Sequence, residues 1–369
     1  MRIEKELTWQ LANEFNIPTI NDGTRIWFFR TQSGIFYADF YLNSYIALGW
    51  NLISKGLINN KEKTSAAKKQ AIQALYPDEQ RPGLIFGQMN LFYNCMQVND
   101  LVVIPARGGE RIAIGLLGNI TTSSITRAVS EPEYATCTHE HKRFVRWLKE
   151  VDLWSDVYLF KNLRAQQTIS EITKYSEMVY RNLHPCYISA ESMHLMLHKT
   201  SQADLNMVDN IKLQHAVVKI NELLLDYFEI ESNDDSLKLK TAVGSPGFLE
   251  VVYPFYPALS SFPISVIAVA IIVKTFIGKT TNTKDTGVLA ILSKANELIN
   301  DRKNREKIQA EIELTQANAK KVEAEAKAIQ IANNRAIEVA RKIETCCTEL
   351  KESADKNGIK MDRSLEDAS

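Results

Sequence analysis

From Val288 to Asn357 the chain contains neither glycine nor proline, and Ala, Glu, Lys, Ile and Gln dominate the stretch. Such residues lose little on entering a helix, so this composition predicts one long helix over 288–357. Stepping alternately by four and three from Ile308 reaches Ile312, Thr315, Ala319, Val322, Ala326, Ile329, Asn333, Ala336, Ala340, Ile343, Cys347 and Leu350. All but Thr315 and Asn333 are apolar or small. A stripe sustained over successive heptads predicts a coiled coil. With it comes a homo-oligomer held through residues 300–350, in which Asn333 sets the register. The same stripe also suits a helix folded back on its own chain. Gly358–Ser369 reads as a frayed tail.

The other end of the chain has a different texture. Arg25–Arg30 is rich in aromatic and β-favouring residues and reads as a strand. Alternation puts Trp27 and Phe29 on one face, and Ile26 and Phe28 on the other. Gly34 breaks the pattern, Phe36–Leu42 reads as a short helix, and Tyr45–Trp50 as a second strand. Gly49 within that strand marks a place where something approaches the backbone closely. The rings of Trp27, Phe28 and Trp50 suit either a core or the wall of a pocket.

The run WFFRTQSGIFYADFYLNSYIALGW resembles the opening of the module that precedes the nuclease in Mrr-like restriction enzymes. There an arginine strand, a glycine turn, an aromatic-rich "DF" helix and an "IGW" strand follow in that order. That module is similar to the YTH/EVE branch of the PUA-like small barrels. The resemblance runs from about Thr24 to Pro185. It implies a nucleic-acid partner, DNA in preference to RNA, with a modified or flipped base held in an aromatic-walled pocket. Carried onto this chain, it places Trp27, Phe28, Asp39 and Trp50 at the pocket. It also implies a restriction or phage-defence setting with an effector protein as a further partner.

The remaining elements follow from pattern. Lys61–Leu75 reads as a helix with a basic face, and Met89–Met96 as another. Asp100–Pro105 and Arg111–Ile120 read as a hairpin across Gly108-Gly109. Where the family opens the first of these strands with Gly-Asp, this chain has Asn99-Asp100. Thr121–Glu140 is polar and loop-like. Arg143–Glu150 reads as a third strand, with Phe144, Arg146 and Leu148 on one face. Arg107, Arg111, Lys142, Arg143 and Arg146 are the candidate phosphate contacts, since basic residues among aromatics suit backbone tracking and base stacking. Exposed turn charges are the plain alternative for Arg107 and Arg111. Thr168 and Glu171 fit a capping box for a helix over Ile169–Arg181, preceded by Gln166 and Gln167. Ser189–Leu225 reads as helical, with His194 and His198 one turn apart. That spacing occurs among metal ligands, but no third ligand accompanies it. Glu231–Asp235 is an acidic break, and Leu237–Pro246 reads as a strand. Phe255–Ile277 is long and apolar but interrupted by Pro257, Pro263 and Lys274. It reads as a buried helix or contact surface, with membrane insertion as the alternative.

Lys+Arg and Asp+Glu are both 44, so no global basic field exists and any nucleic-acid contact needs a local patch. The 5 cysteines, none in a C-x-x-C pair, indicate neither a zinc ribbon nor a disulfide framework. The charged start MRIEKELTWQ does not read as a signal peptide, and the expected location is the cytoplasm. No phosphate-binding loop or nucleophile elbow is present. Gln214–Lys219 lacks the acidic strand that a nuclease of the Mrr type would need. Neither catalytic residue, metal nor cofactor is therefore expected.

The predicted fold class is α+β: a small PUA-like β-barrel module with flanking helices over 1–188, then a helical connector over 189–230. A strand and apolar segment over 237–287, the long coiled-coil helix over 288–357 and the tail follow. The function expected is non-catalytic nucleic-acid sensing with a C-terminal assembly element. The alternatives are a membrane-associated effector with a small-ligand module, and a degenerate restriction nuclease.

Overall fold

The structure is a computed structural model that describes residues 2–20, 23–121, 135–152, 156, 159, 167–189, 192–199, 207–229, 238–242, 247–254, 262–277, 287–311 and 322–360. It is a mixed α+β protein. The chain divides into two units: residues 23–183, and residues 1–22 together with 184–369.

In the 23–183 unit, strands β1 (Ile26–Phe29), β2 (Tyr45–Leu48), β3 (Leu101–Pro105), β4 (Arg111–Thr121), β5 (His141–Asp152) and β6 (Ile169–Glu171) form one sheet. Their order is β2-β5-β4-β3-β1-β6, and the sheet curls into a half-barrel. β1 and β3 run parallel; the other neighbours are antiparallel. The β4–β5 ladder slips between Ile114 and Gly115 and again between Leu117 and Ile120. Extra residues at such bulges bend a strand and deepen its twist.

β1 is buried on both faces. Trp27 and Phe29 belong to a core shared with Phe40 of the Tyr37–Leu42 helix and with Phe92. Phe29 and Phe40 meet edge-on at 6.2 Å, the arrangement that aromatic quadrupoles favour. The Trp27 indole donates to the Asp100 carboxylate at 2.8 Å. Asp100 also accepts from the Gln97 amide at 2.9 Å, so the Asn99-Asp100 opening of β3 makes a working turn.

Three element boundaries differ from the sequence reading for local reasons. The helix expected from Lys61 starts at Ser65, because Thr64 caps it by accepting from the Ala67 amide. Met89–Met96 is a helix, Pro82–Asn90, continued by one π turn over Leu91–Cys95. The Ile169–Arg181 helix is instead β6, a 3-10 turn at Thr173–Tyr175 and a short helix at Ser176–Leu183. Thr168 is not a cap. The strand wins because β1 offers Ile169–Glu171 an antiparallel partner. Gln88 completes the latch: its buried side chain accepts from the Ile169 amide at 2.6 Å and donates to the Ile169 carbonyl at 3.2 Å.

The other unit is built around the Phe262–Ile277 helix. Every residue from Pro263 to Ile272 is buried, as a helix apolar all round should be. At 1.5 Å per residue it is only about 24 Å long, and no helix among the described residues is long and apolar enough to cross a membrane. The Arg2–Glu14, Met207–Tyr227, Val288–Glu311 and Val322–Lys356 helices pack against it. The first helix therefore belongs to this unit and not to the 23–183 module. Strands β7 (Cys186–Ile188), β8 (Ser192–Lys199), β9 (Lys238–Ala242), β10 (Gly247–Pro254) and β11 (Ile359–Lys360) make an antiparallel sheet, with β7 and β11 on one edge of β8 and the order β8-β10-β9 beyond it. Ser192–Lys199, expected to be helical, alternates with period two: Met193, Leu195 and Leu197 enter the helical core. β10 was not expected, and β11 pairs where the tail was expected to fray.

The heptad stripe is only partly a stripe toward a partner. Ala336, Ala340, Ile343, Cys347 and Leu350 are buried in one core with Leu213, Val217, Ile220 and Leu224 of the Met207–Tyr227 helix. Asn333 is exposed. Residues 312–321, including Ile312, Thr315 and Ala319, lie outside the described residues, as do Glu231–Asp235, Gln166 and most of Thr121–Glu140. The described residues do not confirm a long coiled-coil helix.

Two outcomes follow. Trp27→Ala removes a fully enclosed ring and one of the donors to the Asp100 carboxylate, and should cost about 3–5 kcal/mol in a chemical denaturation curve. Ile343→Ala should cost about 2–5 kcal/mol, with a melting temperature independent of protein concentration because its partners are on the same chain. A melting temperature that rises with concentration would identify the seam as intermolecular.

Candidate binding cleft

The half-barrel leaves an opening of about 440 Å³, lined by Arg30, Gln32, Ser33, Phe36, the 47–50 segment, His139 and Thr168. That is within the usual size of a small-molecule or base pocket. Its position follows from topology. Arg30 leaves the end of β1, residues 47–50 leave the end of β2, and Thr168 precedes β6, so the cleft sits where the curled sheet fails to close.

One wall is a turn with unusual backbone. Gln32, Ser33 and Gly34 all have positive φ, at 51°, 58° and 91°. Only glycine fits at position 34: a Cβ there would lie 2.2 Å from the Arg107 backbone. The turn is pinned by Thr31, whose hydroxyl donates to the Pro105 carbonyl at 2.5 Å. Phe36 follows directly. Its ring meets the His139 imidazole edge-on at 5.4 Å.

The opposite wall carries Trp50, half-buried and also at positive φ, 64°. His141 holds this backbone: its Nε2 lies 3.0 Å from the Trp50 carbonyl, and its Nδ1 lies 2.6 Å from the Tyr93 hydroxyl. Because a carbonyl can only accept, Nε2 carries the proton, and in the neutral ring Nδ1 accepts from Tyr93. His139 closes the cleft over Gly49, 3.2 Å from where a Cβ would sit; this imidazole is the close approach expected at Gly49. Burial, and secondarily His141, push the His139 pKa below its ordinary 6.5, so the ring is neutral at pH 7.

Asn51 and Asp39 fix the segment leading to β5 that presents His139. Asn51 donates to the Thr138 carbonyl at 3.1 Å and accepts from the Glu140 amide at 3.0 Å. Asp39 accepts from the Cys137 amide at 2.7 Å.

Among the four expected pocket residues, Trp50 lines the cleft. Trp27 is wholly enclosed beside Asp100, Phe28 is 4% exposed on the other face of β1, and Asp39 is fully buried behind the wall. Arg30, Gln32, Ser33, Phe36, His139 and Thr168 were not singled out as site residues. The triplet around Gly34 was the available signal, since only a special backbone needs glycine there.

The basic residues separate by environment. Arg107 is exposed and abuts the Gly34 turn. Arg111 pairs with Glu150 at 3.0 Å. Lys142 is half-buried, its Nζ 5.2 Å from the Tyr45 ring centre. Arg146 is exposed. Arg143 is only 5% exposed; its Nη1 donates to the Met96 carbonyl and its guanidinium lies 5.9 Å from the Phe92 ring centre. That enclosure removes Arg143 from reach of a phosphate: position 143 shares the inward face with Val145, while Phe144, Arg146 and Leu148 point out. Among the described residues no group of three His, Cys, Asp or Glu side chains is placed to hold a metal ion.

A family model described as a domain of unknown function, DUF8426, matches residues 28–173. The match contains every residue that lines the cleft, from Arg30 to Thr168. Comparison with curated proteins and with solved structures found no match.

Proposed function

We propose that the 23–183 unit is a PUA-like nucleic-acid-binding module, and that its cleft holds a single unpaired base, with modified bases among the natural occupants. The observation that carries this reading is the convergence of Phe36, Trp50 and His139 with Arg30, Gln32, Ser33 and Thr168 around one opening of base-sized dimensions. Rings supply stacking surface that tolerates any base. The polar groups supply donors and acceptors for a base edge, which is where discrimination arises. His139, being neutral, offers one donor and one acceptor. Arg107 stands exposed beside the Gln32–Gly34 turn, where the backbone flanking a captured base would pass. Arg146 is the second exposed candidate for phosphate. The restriction or phage-defence setting rests on the resemblance to the Mrr-type module, with the 1–22 and 184–369 unit as the part that engages an effector.

The test uses the full chain and short single-stranded oligonucleotides carrying unmodified or modified bases. Trp50→Ala should weaken binding by about 5- to 150-fold, the equivalent of the ~1–3 kcal/mol that base–aromatic stacking contributes. Its melting temperature should change little, since Trp50 is a wall and not a core ring. Arg107→Ala should weaken binding to all sequences alike and reduce the salt slope by about 0.7, as loss of one single-strand phosphate contact would. Unchanged affinity in both variants would overturn the reading.

Acidification provides an independent check. The folded pKa of His139 lies below its unfolded value, so the fold prefers the neutral ring. The stability this contributes is complete above about pH 6.5 and is lost as pH falls from there through the folded pKa. His139→Gln should flatten that part of the stability–pH curve and should weaken base binding at pH 7.

A further inference from the structure

In the other unit, β8 and β10 bring together three side chains that no sequence motif connects. His194 Nδ1 lies 2.6 Å from Glu250 Oε1, and His194 Nε2 lies 2.8 Å from Ser192 Oγ. Ser192 and His194 are two apart on β8 and so share a face. Glu250 comes from β10, diagonal to His194, which is directly opposite Val252. On β7, Tyr187 is the residue opposite His194, and its ring stacks on the imidazole at 4.4 Å and 10°.

With Glu250 ionised and the ring neutral, Nδ1 carries the imidazole proton and the Nε2 lone pair faces Ser192. Ser189 Oγ is 3.0 Å from the Ser192 carbonyl, which can only accept, so the Ser189 proton is directed there. The Ser192 amide in turn points at Ser189 Oγ at 3.2 Å. The Ser192 hydroxyl has two neighbours able to take its proton, His194 Nε2 at 2.8 Å and Ser189 Oγ at 3.3 Å, and the shorter contact is the one to the imidazole. Carboxylate, imidazole and hydroxyl stand in the order in which a histidine activates a serine. Glu250 and His194 are 2% and 0% exposed, whereas Ser192 retains 8%. The base is thus screened from water, and Ser192 is a buried residue with a little more of its surface exposed.

We propose that Ser192, His194 and Glu250 form a catalytic site for hydrolysis of carboxylic esters, separate from the base-binding cleft. Ser192 Oγ adds to the ester carbonyl carbon as its proton passes to His194 Nε2. The tetrahedral adduct collapses, the bond to the alkoxy oxygen breaks, and His194 returns the proton to the departing alcohol. Water then adds to the acyl-serine with His194 again taking the proton. The acid leaves and Ser192 Oγ–H is restored. Ser192 and His194 are the catalytic residues. Glu250 is a positioning residue, holding the imidazole in the tautomer that accepts from serine.

The experiment treats the full-length protein with a fluorescent fluorophosphonate, which phosphonylates activated serines, and follows p-nitrophenyl butyrate hydrolysis in parallel. The expected result is a single phosphonyl group mapped to Ser192, together with ester turnover that Ser192→Ala abolishes. His194→Gln should slow labelling at least 100-fold. Glu250→Gln should lower the maximal labelling rate at least tenfold without changing the probe concentration at half-saturation, a split that general loosening of the sheet would not produce. Melting curves accompany each variant, and labelling of the unmutated chain needs no variant to fold. If folded wild-type protein leaves Ser192 unlabelled, or if labelling is indifferent to His194→Gln in a variant with a wild-type melting curve, the proposal is overturned and the trio is a hydrogen-bonded core network only.

Discussion

The carboxylate of Asp39 is fully withdrawn from water and answered by three donors. The Asn43 amide reaches Oδ1 at 2.8 Å; the Tyr45 hydroxyl and the Cys137 amide reach Oδ2 at 2.6 and 2.7 Å. A buried carboxylate without partners is strongly destabilising, whereas each hydrogen bond to a charged group is worth about 1.5–3 kcal/mol. Those three donors come from the end of the Tyr37–Leu42 helix, from β2 and from the segment leading to β5. One side chain therefore ties together the three pieces of backbone that carry Phe36, Trp50 and His139. Burial, and then the bond to Asp39, push the Tyr45 phenol above its ordinary pKa, which keeps it protonated and donating.

Much of the 23–183 unit was legible in the sequence because its strands advertise themselves. Ile26–Phe29, Tyr45–Leu48, Leu101–Pro105 and Arg111–Thr121 are aromatic or β-branched runs bounded by turn residues, and local composition suffices to find them. What composition cannot tell is which ring faces a core and which faces an opening. Trp27 and Trp50 are equivalent as residues. Trp27 sits in the middle of the sheet because β3 and β6 flank β1, and Trp50 lies beyond the last pair of an edge strand. His139 was hidden for another reason: it comes from a polar stretch with no period, and its position is set by Asn51 and Asp39, far away in sequence. The Arg143–Arg146 pair illustrates the limit of reading charge alone, since one turn of the pleat separates a buried guanidinium from an exposed one.

The other unit was less legible because its contacts are less local. Ser192–Lys199 contains Met, Leu and His, residues equally at home in a helix, and its pairing with β7 on one side and with β10, some fifty residues on, makes it a strand. The Ser192–His194–Glu250 trio inherits that difficulty, since Glu250, one of its three members, is brought to the other two by the β8–β10 pairing. Phe262–Ile277 was easier: apolar on every side and short, it had to be enclosed, and helices from both ends of the unit enclose it. The stripe from Ala336 to Leu350 was read correctly as a face that must be covered. Periodicity specifies the face and says nothing about which helix covers it.

The cleft itself is made from backbone that most sequences avoid. Gln32, Ser33 and Trp50 are non-glycine residues at positive φ, a conformation with a cost that must be met by the surroundings. Each is held by something identifiable: the turn by the Thr31 hydroxyl on Pro105 and by the fit of Gly34 against Arg107, and Trp50 by the bonds to its carbonyl from His141 and from the Ile53 amide at 2.9 Å. None of these anchors points into the opening. The walls are therefore set before any ligand arrives, and a ligand need not supply the free energy of ordering them. Selectivity must then reside in the groups that remain directed inward. Those are the rings of Phe36, Trp50 and His139 and the polar side chains between them, with the imidazole uncharged at neutral pH. A cleft of that character presents stacking surface and hydrogen-bonding groups, the Arg30 guanidinium among them, around one opening.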